Sequence, residues 1–92
     1  MIRVIIPSQL ESYTSGAREV TLDLPPDRPL TLLDAMDALE ARFPGIRFRI
    51  IDEQSNIRRN IAIFVGESMV RALDEPLRQD DRVQIVGALS GG

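Results

Sequence analysis

Arg82-Val83-Gln84-Ile85-Val86-Gly87-Ala88-Leu89-Ser90-Gly91-Gly92 closes the 92-residue chain with an alternating run and then two glycines. Val83 and Ile85 share one face of a period-two pattern, which predicts a last strand over 82–86. Gln79-Asp80-Asp81 ahead of it supplies the turn residues that would bring the chain into that strand. Glycine makes up about 7% of ordinary sequence, so a terminal pair arises by chance about 0.5% of the time. The pair reads either as a plain flexible end or as an unhindered acyl terminus, and the rest of the chain decides between them.

Working outward, Ile61 to Val65 is a strong strand signal, with Ile61, Ile63 and Val65 on one face. Gly66-Glu67 offers a tight turn into a short strand carrying Met69 and Val70. At the other end, Ile2, Val4 and Ile6 alternate with Arg3 and Ile5, and Pro7 stops that strand because it has no amide hydrogen to donate. Ser8 to Arg18 is polar and reads as a loop turning at Ser15-Gly16. Val20, Leu22 and Leu24 then face inward from a second strand that forms an antiparallel hairpin with the first. After Pro25, Pro26 and Pro29, Thr31 and Asp34 have the spacing of a capping box. Leu32, Met36, Leu39 and Phe43 follow at spacings of four, three and four, the apolar stripe of one helix, which Pro44-Gly45 ends. Ile46 to Asn60 predicts a loop containing a short extended piece, and Leu73 to Leu77 a single tight helical turn. Two strands, one long helix and further strands give an α+β domain with a mixed four- to five-stranded sheet packed on one main helix.

The missing residue types narrow the chemistry. The chain has no histidine and no cysteine, and all 11 basic residues are arginine. Thiol nucleophiles, disulfides, the usual general base and the commonest metal ligand are therefore absent, which argues against catalysis within the chain. A net charge of −3 argues against nucleic acid as the main partner. Arg47, Arg49, Arg58 and Arg59 cluster in the sequence, but Asp52 and Glu53 stand among them, so a solvated loop face is favoured over an anion-binding patch. No apolar run nears the roughly 20 residues that cross a bilayer. A cytoplasmic, single-domain protein is expected, with residues 1–88 as the folded body and 89–92 as a flexible diglycine tail.

Taken in order, these landmarks resemble the small sulfur carrier proteins of the MoaD/ThiS family, which have the ubiquitin-like β-grasp fold. The opening Met1-Ile2-Arg3-Val4, the helix end Phe43-Pro44-Gly45 and the strand Ile61-Ala62-Ile63-Phe64-Val65-Gly66 carry the resemblance. So do Glu75-Pro76-Leu77, Asp81-Arg82-Val83 and the terminal Gly91-Gly92. Two positions depart from it. Gly87-Ala88-Leu89-Ser90 stands where molybdopterin-type carriers have prolines, and Asp80 replaces the usual glycine of the turn before the last strand. Asp80 still tolerates left-handed backbone geometry.

The resemblance implies that a separate adenylating, E1-like enzyme spends ATP on the carboxylate of Gly92. Sulfur then displaces AMP and leaves a thiocarboxylate, which a sulfur-accepting enzyme or a larger synthase subunit uses in a molybdopterin-, thiamine- or cysteine-type pathway. The chain itself would bind no cofactor or metal and supply no catalytic residue, and Gly91 and Gly92 would carry the sulfur. Glycine suits that role because a β-carbon would crowd an acyl centre under attack in a narrow channel. Residues 89–92 fully extended reach at most about 13–14 Å. The family's partner-binding patch lies on the sheet face away from the helix, and the matching positions are Pro7, Met69, Val86 and Leu89, with Ile5 and Phe64 beside them. The alternatives are a ubiquitin-like modifier joined to lysines of target proteins, and a non-reactive β-grasp interaction module. The absence of lysine already excludes self-chains through side-chain amines.

Overall fold

A computed structural model describes residues 1–87. The first hairpin forms as the alternation predicts: β1 (Ile2–Ile5) runs antiparallel to β2 (Glu19–Leu22), with Ile2 opposite Leu22 and Val4 opposite Val20. The connection is not a plain loop. Ser8–Tyr13 coils into a 3₁₀ helix that buries Leu10, and the turn behind it passes through Ser15 at φ 56° and Gly16 at φ 87°. Thr14 is buried there, with its hydroxyl donating to the Ala17 carbonyl at 2.7 Å.

Thr31 caps α1 (Leu32–Arg42) as expected. The Asp34 amide donates to the Thr31 hydroxyl and the Asp34 carboxylate accepts from the Thr31 amide, satisfying two donors the helix leaves open. Leu32, Ala35, Met36 and Leu39 point into the core, while Phe43 is only partly covered. At the far end Arg42 donates to the Thr21 carbonyl at 2.8 Å and ties the last helical turn to the sheet edge.

Two expectations are corrected here. Ile46–Ile50, expected to be extended, is a short helix, α2. Ile46 and Ile50 are buried and Phe48 between them is 55% exposed, which is a helical rather than a pleated pattern. Leu73 to Leu77 is not a helical turn. A turn at 73–74 leads into a two-residue strand that pairs antiparallel with another just before α1. We number these β3 (Leu30–Thr31) and β6 (Pro76–Leu77); together they form a second, two-stranded sheet.

The main sheet is completed by β4 (Ile61–Val65), β5 (Ser68–Val70) and β7 (Arg82–Gly87), in the order β2-β1-β7-β4-β5. β7 lies parallel to β1 and antiparallel to β4, so the last strand is the central one. Asp80 at φ 71° makes the turn into it in the left-handed geometry anticipated for that position. Ile2, Val4, Ile63, Val83 and Ile85 form the inner face against α1. The sheet is five-stranded and mixed and is covered by one main helix, the β-grasp arrangement. Among the described residues no helix is long and apolar enough to cross a membrane.

Candidate functional site

Because side chains alternate along a strand, burying one set of residues against α1 presents the other set on the opposite face. The strand registers place Glu19, Ile5, Gln84, Phe64 and Met69 in one row across that outer face. Ala62 and Val86 form a pair in the next row. Met69 is 53% exposed and Val86 37%, while Ile5, Pro7 and Phe64 are half-buried.

The predicted positions are thus brought together in two groups. Ile5, Pro7 and Val86 line one shallow groove, bordered by Arg18 and Gln84, at the end of β1 and β7. Met69 stands directly beside Phe64 on the other side of Gln84. Val86 is diagonal to Phe64 across β4 and β7, within reach of an aromatic ring at roughly 7–8 Å between backbones. A strip of apolar side chains therefore crosses the face, with Gln84 in its middle. Arg3 and Arg82, opposite each other in the parallel register, bound it below. The remaining predicted residues, Leu89, Gly91 and Gly92, lie outside the described residues.

The place where the chain leaves the sheet is fixed. Gly87 pairs with Ile61, and its carbonyl accepts from the Gln9 side-chain amide at 3.3 Å. A methyl group at Gly87 would sit 3.0 Å from that amide, so the small residue lets Gln9 close over the strand end. β7 is hydrogen-bonded to β1 on one side and to β4 on the other.

A second feature lies beside this exit. Gly87, Gln9 and Tyr13 share a cleft of about 570 Å³ with Phe48, Arg49, Arg58 and Asn60. Glu40 builds it from a distance: its carboxylate accepts from the amides of Gly45 and Arg47, both at 2.9 Å, and so caps the start of α2. Those two amides, Gly45 first, hold the Glu40 carboxyl below its ordinary range. The bidentate hydrogen bond from Arg28, with the Thr31 amide, does the same to Asp34 at the head of α1. Gly45 has φ 100°, and an added β-carbon would lie 3.3 Å from the Tyr13 ring. Among the described residues no cluster of acidic side chains could hold a metal ion.

Among the described residues this geometry presents a partly apolar surface and a fixed strand end. The ThiS family model matches residues 5–92. No curated protein sequence matches the chain. Among solved structures, a chain of the Amycolatopsis orientalis BexX/CysO complex is 27% identical, with a TM-score of 0.87 and complete coverage of both chains. Mycobacterium tuberculosis CysO is 28% identical, with a TM-score of 0.84, covering 97% of this chain and all of that one. SAMP1 from Haloferax volcanii, at 23% identity and a TM-score of 0.82 over 99% of this chain and 98% of that one, shows the shared fold. The central last strand, the single covering helix and the family match together identify the chain as a member of the ThiS family, with the ubiquitin-like β-grasp fold.

Proposed function

We propose that the chain is a sulfur carrier whose reacting group is the carboxylate of Gly92. The family match that runs through Gly91-Gly92 carries this reading, and the anchored position of β7 supports it. A carboxylate is a poor acyl donor because its leaving group would be oxide. A partner enzyme overcomes this by letting a Gly92 oxygen attack the α-phosphorus of ATP, which releases pyrophosphate and leaves an acyl-adenylate. Hydrosulfide then attacks the acyl carbon, the carbon–oxygen bond to AMP breaks, the proton passes to solvent, and the chain keeps the sulfur as a thiocarboxylate.

Glycine at the last two positions leaves the tetrahedral centre uncrowded and lets the backbone follow a narrow channel. The folded body acts as the handle. Its outer-face strip of Ile5, Pro7, Phe64, Met69 and Val86 is the surface offered to the activating enzyme, with Leu89 as the remaining family-matched position. Exposed apolar residues gathered on one face, rather than scattered singly, are what such a contact requires. The chain that matches in the BexX/CysO structure belongs to a two-protein complex, in keeping with a carrier that works on a larger partner.

The test is the intact mass of the protein purified from its native host under non-reducing conditions. A fraction carrying one sulfur in place of one oxygen, mapped to the C-terminal fragment, is the expected result. Gly92 found only as an ordinary carboxylate, or joined to lysines of other proteins, would overturn the proposal.

A further inference from the structure

Of the four clustered arginines, Arg47 has its charge matched by Asp37 at 3.0 Å. Asp52 is committed to its own turn, accepting from the amides of Gln54 and Asn56. The acidic residues among the arginines in the sequence therefore do not neutralise Arg49 and Arg58. Among the described residues neither of those two makes an ion pair, and no carboxylate lines the cleft they share.

Both guanidinium groups are held in place. Arg49 donates from Nε to the Tyr13 hydroxyl at 2.6 Å and stacks over that ring at 5.8 Å. Arg58 donates from Nε to the Phe48 carbonyl at 2.7 Å and lies 4.5 Å over the Phe48 ring. Each arginine thus spends its Nε on positioning, and among the described residues its two terminal nitrogens, the pair that grips a carboxylate in a fork, make no hydrogen bond. Stacking on aromatic faces lowers the entropy lost when such a fork closes on an anion. Asn60 adds amide donors at the same wall. In a chain of net charge −3, this is a built positive site.

We propose that this cleft docks an acidic segment, aspartate- or glutamate-bearing, of the protein that receives the tail. The identity of that partner rests on the carrier reading above. Two observations select it over a free small anion. The cleft is open on one side and would leave a small ligand largely in water, whereas small-molecule sites bury most of their ligand. Gly87 forms part of its wall, as it does of the apolar groove on the outer face, so the cleft adjoins the point where the chain leaves the sheet and a partner that receives the tail comes close to both arginines.

The experiment titrates the ¹⁵N-labelled full chain with a capped peptide of alternating aspartate and glutamate, and separately with inorganic pyrophosphate. Saturable shifts at the Arg49 and Arg58 Nε–H signals and at the Asn60 and Gln9 amides are expected with the peptide, weakening several-fold as salt rises through the physiological range. Arg49→Gln and Arg58→Gln each should lower peptide affinity about tenfold or more, the loss expected for a charge-assisted hydrogen bond. Arg58→Lys, which keeps the charge without the fork, should fall between. Arg59→Gln, exposed and outside the cleft, should bind as the unaltered chain does, and spectral dispersion confirms that each variant is folded. Equal weakening by Arg59→Gln, saturation by pyrophosphate with no response to peptide, or no saturable shift at all would overturn the proposal. Failure of the carrier reading would appear in the intact mass and leave these shifts unchanged.

Discussion

The two faces of the main sheet use the same strands and very different chemistry. Inward, Ile2, Val4, Ile63, Val83 and Ile85 are each at most 1% exposed, and all belong to one core cluster with the buried residues of α1. Outward, Arg3, Gln84 and Arg82 alternate with Ile5, Phe64, Met69 and Val86, and no helix or strand among the described residues covers them. Apolar residues on the inner face are explained by folding. Those on the outer face are not, and that difference is what the proposed partner-binding surface rests on.

The contrast is sharpened most by truncation on each side. Ile63→Ala should cost about 2–5 kcal/mol, through lost transfer energy and the cavity left behind. Met69→Ala should stay within about 0.5 kcal/mol. Equal losses in urea denaturation would mean that the outer face is also structural. Gly45→Ala comes next, at roughly 1–3 kcal/mol, because φ 100° is a strained conformation for alanine and the new methyl presses on Tyr13. Its NMR signature should reach Arg49 through the Tyr13 hydroxyl. Thr31→Ala should cost about 1 kcal/mol by uncapping the helix that covers the inner face.

A smaller effect should appear in acid. Asp34 and Glu40 have folded-state pKa values below the ordinary carboxylate range. Their contribution is fully present above the unfolded value near pH 4 and is lost as pH falls through the lower folded values. Glu40→Gln should therefore flatten the acid limb of the stability–pH curve, read from melting temperatures between about pH 2 and 5. A steeper limb would reverse the sign of the argument. The least change in stability is expected for Met69→Asp, which should melt like the unaltered chain while losing adenylation by its cognate enzyme. Undiminished adenylation would remove Met69 from the partner-binding surface.

How much of this could be seen in the sequence depended on the length of each pattern. β1, β2, β4 and β7 each carry two or three alternating apolar residues, and α1 carries a cap and two helical repeats, so local reading was enough. Ile46, Phe48 and Ile50 defeated it because spacings of two and of four coincide over five residues. Only the burial of Ile46 and Ile50 without Phe48 separates helix from strand. β6 was beyond local reading, since Pro76-Leu77 becomes a strand only by pairing with Leu30-Thr31, far away in the chain. The outer-face positions came from the family resemblance, and strand register explains why they share a side. The arginine cleft was masked by Asp52 and Glu53, adjacent in sequence yet absent from its lining.

The claim that a folded handle carries an acyl end energised by another protein is tested most directly by removing Gly91 and Gly92. Thermal melting and ATP-dependent pyrophosphate exchange with the host's adenylating enzyme would be measured on the shortened and the full chain side by side. We predict unchanged melting and complete loss of exchange. Exchange that survives the deletion would contradict the account, because the carboxylate being activated could not then be that of Gly92.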